Sequence, residues 1–302
     1  MMKIVRLFIR LSRPLFLSGA ALVYFLGVGI ARYLGAGIDW GIYLLGQIWV
    51  TMLQLGALYL DEYFDMTPVD DSPQPRSFSG DGRPAQEVKI PPLALLIAGI
   101  TCLAIVASLT VLMLQQVHPS GSTLIFMVLI ALGAILYSLP PMRLATSGYG
   151  ELTVTIMFAN LLPALAFLLQ TGSLHRLVAM TTFPLTALYL ATTLALQLPN
   201  YARDVKFERR TLMVRIGWRN GMNMHNLLIL CAFLLLVLAV TFGLPLPIAI
   251  PAFLLLPLGL LQIWQMRRVA EGAKPNWMAL TLTPIAIFGS MTYLLAYAFW
   301  TR

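Results

Sequence analysis

Apolar residues run along this chain in long blocks, not in the three-and-four rhythm of a soluble helix. Blocks long enough to cross about 30 Å of hydrocarbon as helix fall at roughly 14–35, 40–60, 92–116, 122–139, 151–170, 178–199, 225–243, 246–265 and 277–300. The pattern predicts an all-α integral membrane protein with nine transmembrane helices. Only "GLPLP", 243–247, cuts the run 225–265 in two. A single proline is not taken as a stop, because membrane helices tolerate proline.

Composition agrees with the pattern. Of 302 residues, 59% are hydrophobic and 11% charged, with a mean hydropathy of +0.82, against about 25% charged in a soluble domain. The opening "MMKIVRLFIRLSRPLF" lacks a small-residue cleavage site after a short apolar core, so the first block reads as a retained span. Cys102 and Cys231 lie in apolar stretches with no disulfide or metal spacing.

The net charge of +8 reflects sidedness rather than a nucleic-acid partner. With the N-terminus inside, all Lys and Arg except Arg32, Arg176 and Arg302 fall on the inner side, and so do all acids except Asp39. This is a strong positive-inside signal. It places the N-terminus and the polar loops 61–91 and 200–224 in the cytoplasm, under an inner (cell) membrane of bacterial type. Polar chemistry belongs at that face.

Two segments there carry acids at helical spacing. In "LDEYFD", 60–65, Asp61 and Asp65 share one face if the second span continues helically, with Glu62 beside them. In "LPNYARDVKFERR", 198–210, Asn200, Asp204 and Glu208 recur every four residues and line one face of a continuous helix. Arg203, Lys206, Arg209 and Arg210 lie among them. The plain alternative for each is a solvated charged loop. Paired, the segments suit a polyanion bridged by a hard cation. Mg²⁺ takes carboxylate oxygens and completes its shell with water and substrate phosphate, while Arg and Lys hold outer phosphate oxygens.

At these residues the chain resembles the UbiA superfamily of intramembrane prenyltransferases. "DEYFD" stands where the family has Asn-Asp-x-x-Asp, and Tyr63-Phe64 match the form of the dihydroxynaphthoate branch (MenA-like). "RSFSGDG", 76–82, "RDVKFERRTLMVRIG", 203–217, "YSLPPMRLATSGYGEL", 137–152, and "LSRPLF", 11–16, resemble further family segments in the same order. The resemblance covers most of the chain and implies a single domain over 1–302, with nine helices around a central cavity. It implies a Mg²⁺ site at Asp61, Glu62, Asp65, Asp204 and Glu208. It implies diphosphate contacts from Arg13, Tyr137, Ser138, Arg143, Asn200, Arg203, Arg209 and Arg210. The partners implied are a prenyl diphosphate, an aromatic acceptor such as 1,4-dihydroxy-2-naphthoate in menaquinone biosynthesis, and membrane lipid. The chain departs from the family pattern at Asp61, Glu62 and Glu208, and it is a few residues short between Glu208 and Thr211.

Other polar residues read as structural. Arg13 also serves as an inner-face anchor, and Tyr137 as an interfacial aromatic. His118, His175 and His225 form no metal-ligand pair, and Arg267, Arg268 and Lys274 read as a topology anchor. Rings such as Phe126, Phe158 and Tyr189 are candidates to shield an allylic cation, although most such rings only pack. Two other functions stay open: a terpene cyclase using the same metal motifs without an acceptor, and a transporter or lipid-binding protein. Transporter charges usually lie near the bilayer midplane, whereas these lie at one face.

Overall fold

The computed structural model describes residues 11–66 and 91–302. "RSFSGDG" and most of the first polar loop lie outside the described residues. Among those described, every regular element is helical. Among the described residues, nine helices are long and apolar enough to cross a membrane: Pro14–Tyr33, Trp40–Asp65, Pro92–Gln116, Gly121–Ser138, Gly150–Thr171, Arg176–Lys206, Trp218–Thr241, Leu246–Ala270 and Trp277–Thr301.

The individual helices are α1 (Pro14–Tyr33), α2 (Trp40–Met66), α3 (Pro92–Gln116) and α4 (Gly121–Ser138). The fifth span is α5 (Gly150–Ile156), a π-turn (Met157–Leu161) and α6 (Leu162–Thr171). The sixth is α7 (Arg176–Gln197), the 3₁₀ turn Leu198–Asn200 and α8 (Tyr201–Lys206). After α9 (Leu212–Ile216) come α10 (Trp218–Thr241), α11 (Leu246–Phe253), α12 (Leu256–Ala270) and α13 (Trp277–Thr301). The seventh span therefore starts at Trp218, seven residues before the apolar block, and His225 lies buried inside it rather than at its end. The inner segment 200–224 is not a loop. It holds α8, α9 and the head of α10.

Lipid is as apolar as a leucine side chain, so helices in a membrane associate by close packing and interhelical hydrogen bonds. Both devices are visible. At Gly27 of α1 an added Cβ would lie 2.1 Å from the Pro163 carbonyl oxygen, so only glycine allows α6 to approach so closely. Trp49 Nε1 donates to Thr110 Oγ1 at 2.8 Å and ties α2 to α3. Pro284, inside α13, has no N–H to give the Leu280 carbonyl one turn earlier. Gln262 Nε2 of α12 donates to that carbonyl at 3.2 Å, which closes the gap and joins the two helices.

The outward faces carry stripes such as Leu93, Ile97 and Ile100, all exposed, as expected of surfaces meeting acyl chains. The core lies where α1, α6, α7, α10 and α13 pack together.

Candidate active site

The acids of the second span end up on ordered helix. Because α2 runs to Met66, Asp61 and Asp65 sit one turn apart, as their spacing predicts. Their counter-charge comes from the chain itself. Arg143 follows Pro140-Pro141 in a left-handed backbone conformation, φ 35°, which turns it back toward α2. Its Nη2 bonds Asp65 Oδ1, lies 3.6 Å from Asp61 Oδ1 and donates to the Asp61 carbonyl at 3.2 Å. All three side chains are largely buried. Arg13 caps α1, likewise at positive φ, and its charge reaches Asp61, Glu62 and Tyr137.

The second segment differs from its expected form. α8 stops at Lys206, and Glu208 sits in the turn beyond it at φ 51°, exposed. Asn200 belongs to the preceding 3₁₀ turn. Thus Asn200, Asp204 and Glu208 do not line one continuous face, because the helix breaks before the third position. Asp204 is buried and faces Arg209 Nη1 at 3.9 Å. Arg210 is exposed in the connection to α9.

Ser138 has a partner within the fold. Its hydroxyl donates to the Ala57 carbonyl at 2.9 Å, a tether between α4 and α2 that takes its only proton. Tyr137, its neighbour, lies within electrostatic reach of Asp61, Arg13, Glu151 and Arg209. It therefore stands between the two acidic segments.

Two residues not singled out from the sequence hold this end together. Glu151 begins the fifth span, buried, and its Oε1 accepts from Gln197 Nε2 of α7. Gln197 Oε1 in turn accepts the Met213 N–H of α9 at 3.1 Å. One acid and one amide thus link α5, α7 and α9. An acid heading an apolar block and a glutamine closing another were the available signals.

Deeper in the bundle an aromatic column follows. Phe158 sits in the π-turn with its faces against Phe16, centroids 5.0 Å apart, and Tyr189, 4.7 Å apart, while Phe288 meets Tyr189 edge-on at 5.0 Å. Phe16 lies one turn from Arg13, so the column starts beneath the charged end. π-turns of this kind are frequent at functional sites.

No three acidic, histidine or cysteine side chains among the described residues converge tightly enough to grip a cation by themselves. The donor chemistry still fits a hard ion, since carboxylate oxygens at both segments suit Mg²⁺, which needs only one or two from the protein. The fit to an anion is more direct. Arg143 Nε and Arg203 Nε and Nη2 are buried with no hydrogen-bond partner among the described residues. Buried guanidinium donors left unpaired are costly, and phosphate oxygens satisfy them bidentately.

The fold is shared with solved structures. A UbiA homologue from Archaeoglobus fulgidus bound to GPP and Mg²⁺ superposes with a TM-score of 0.65 at 16% identity, covering 98% of this chain and 100% of that one. The same protein bound to DMAPP and Mg²⁺ gives 0.64 at 18%, covering 97% and 99%. A digeranylgeranylglyceryl phosphate synthase gives 0.62 at 15%, covering 100% and 98%. Identities this low speak to fold alone. No curated protein matches the sequence. The UbiA prenyltransferase family matches over residues 20–284, most of the chain and both acidic segments. With nine apolar helices and charged machinery gathered at one end, the chain belongs to the UbiA prenyltransferase family.

Proposed function

We propose that this protein transfers a prenyl group from a prenyl diphosphate to an aromatic acceptor in a Mg²⁺-dependent reaction. The acceptor proposed is 1,4-dihydroxy-2-naphthoate, in menaquinone biosynthesis. The observation that carries the donor half is the set of buried guanidinium donors of Arg143 and Arg203, without partners among the described residues, beside the carboxylates Asp61, Asp65 and Asp204. Cations and acids interleaved at one membrane face suit a metal-bridged diphosphate. Support also comes from the Archaeoglobus fulgidus homologue, which was captured with GPP or DMAPP and Mg²⁺. The acceptor half rests on the "DEYFD" and "RSFSGDG" resemblance. The fold alone does not select it, because the digeranylgeranylglyceryl phosphate synthase shares the fold.

In this reading Asp61, Glu62, Asp65 and Asp204 hold Mg²⁺, with Glu208 reaching in from its turn. When bound, Mg²⁺ supplies charge neutralisation for the diphosphate leaving group. Arg13, Arg143, Arg203, Arg209 and Arg210 bind its outer oxygens, and Tyr137 and Asn200 orient it. The Phe16–Phe158–Tyr189 column keeps water from the allylic carbon as its bond to oxygen loosens. The site opens to the cytoplasm, and the hydrocarbon tail lies among apolar helices.

Purified protein with Mg²⁺ and labelled prenyl diphosphates, with and without the naphthoate, tests this. Label should enter a prenylated aromatic only when the acceptor is present, EDTA should stop it, and Mg²⁺ should restore it. A cyclic terpene formed equally in both tubes identifies a cyclase instead.

A further inference from the structure

The fifth span carries a second set of unsatisfied groups, of different chemistry from the guanidinium donors. Glu151 and Thr155 fall four residues apart in α5, so they stack on one face from the polar end inward, and Phe158 follows in the π-turn. All three are at least 96% buried. The Glu151 carboxylate is fixed. Oε1 accepts from Gln197, and the backbone N–H groups of Glu151 and Leu212 lie close to the carboxylate. Oε2 has no hydrogen-bond partner among the described residues. One turn deeper, Thr155 Oγ1 is also without one. This is unusual for a helical threonine, which normally bonds the carbonyl a turn behind it. Thr153 on the other face does so, donating to Tyr149 at 3.1 Å. Buried polar atoms are paired in the great majority of cases, so two orphans on adjacent turns point to a ligand.

The chemistry restricts which ligand. A carboxylate oxygen with a free lone pair accepts an O–H or N–H, and it meets a diphosphate only across a bridging cation. An isoprenoid tail has no proton to offer. A hydroxyl does, and Thr155 can either accept from or donate to a second one. Next inward, Phe158 stacks on Phe16 and Tyr189 and has Phe288 tilted toward it at 6.2 Å, so the face leads into aromatic surroundings. Tyr137 and Arg209 lie within electrostatic reach of Glu151, which puts this face next to the diphosphate end. We propose that Glu151 Oε2 and Thr155 Oγ1 bind the hydroxyl groups of a hydroxylated aromatic acceptor. The proposal rests on the acceptor half of the function above and assigns its residues.

Two substitutions test it with little change of shape. Glu151→Gln keeps the bond to Gln197 and replaces the free lone pair by an N–H₂. Thr155→Val removes the hydroxyl only. Equilibrium binding of 1,4-dihydroxy-2-naphthoate and of its 4-methyl ether to the purified full chain, without prenyl diphosphate, reads the subsite alone. Wild-type turnover with prenyl diphosphate, Mg²⁺ and naphthoate reads the function alone. The wild type should prefer the free hydroxyl to the ether by about tenfold, the worth of one hydrogen bond. That preference should collapse toward unity in at least one variant, while prenyl diphosphate binding stays within about twofold of wild type, less than half a hydrogen bond's worth. An unchanged preference in both variants overturns the proposal and leaves the orphan atoms to buried water. Should Glu151→Gln fail to fold, Thr155→Val decides alone. Loss of prenyl diphosphate binding in a folded variant assigns the face to the donor side and also overturns it.

Discussion

Arg143 has two partners and a third obligation. It neutralises Asp61 and Asp65, and its Nε is buried with no partner among the described residues. Without it, two carboxylates one turn apart repel each other in a region of low dielectric. Arg143→Ala should therefore lower the melting temperature of the metal-free protein. Added Mg²⁺ should restore more of that loss than it adds to wild type, because a ligand that binds only the folded state stabilises it by mass action. A fluorescence melt with EDTA or Mg²⁺ measures both terms, and equal Mg²⁺ shifts in the two proteins would remove the cation site from Asp61 and Asp65. Lysine should not replace Arg143, since a single ammonium cannot span both acids and a phosphate. On the catalytic side, Asp65→Asn and Asp204→Asn should each cut turnover by about 10²–10³-fold, the usual cost of removing one preorganised electrostatic group. Both proteins should still insert in the membrane. Full activity in both, measured on purified protein, would dismiss the proposed metal ligands.

Helices were legible in the sequence wherever length alone decides. An apolar block of about twenty residues has one stable form in hydrocarbon, so all nine expected spans appear among the described residues, although the sixth runs on to Lys206 and the seventh starts early, at Trp218. What periodicity missed depends on contacts between helices. Glu208 leaves the predicted face because the backbone turns at φ 51° after α8, and spacing in sequence carries no trace of that turn. Ser138 matches a family position, yet its proton goes to the Ala57 carbonyl, a partner 81 residues away. Glu151 and Gln197 look unrelated in sequence and become one clamp only when α5, α7 and α9 meet. Close helix contacts are equally silent in a single sequence, and Gly27 is the case to test. Its position against Pro163 leaves no room for a side chain. Gly27→Leu should cost about 1–3 kcal/mol or more through overpacking, seen as a lower detergent-melting midpoint. The exposed Gly37, with nothing near its missing Cβ and no positive φ, serves as a control for glycine loss in a loop. A Gly27→Leu protein as stable as wild type would mean that α1 and α6 do not pack as described.

The whole molecule is polarised from end to end. Arg32 lies over the Trp300 ring at 5.2 Å, Trp40 stacks on that ring at 5.8 Å, Asp39 pairs with Gln170, and Arg176 approaches Gly243. These residues come from six different span ends, and they include three of the four charges, Arg32, Asp39 and Arg176, that the sequence assigns to the outer side. The fold therefore gathers the sparse end and the charge-rich end separately, as a correct count of spans requires. An error of one helix would have sent half of these residues to the opposite end. Which end faces the cytoplasm is a matter of the positive-inside bias, since flanking Lys and Arg set orientation. Asn220, exposed at the head of α10, should then be cytoplasmic, and Ser173, exposed between α6 and α7, should be outside. Single cysteines at these positions, in a background with Cys102 and Cys231 replaced, can be probed in intact cells with a membrane-impermeant maleimide. Ser173→Cys should label at once and Asn220→Cys only after permeabilisation. The reverse result would put the charged end, with its carboxylates and guanidinium groups, on the side away from a cytoplasmic pool of prenyl diphosphate, and the transferase proposed here would have no access to its donor.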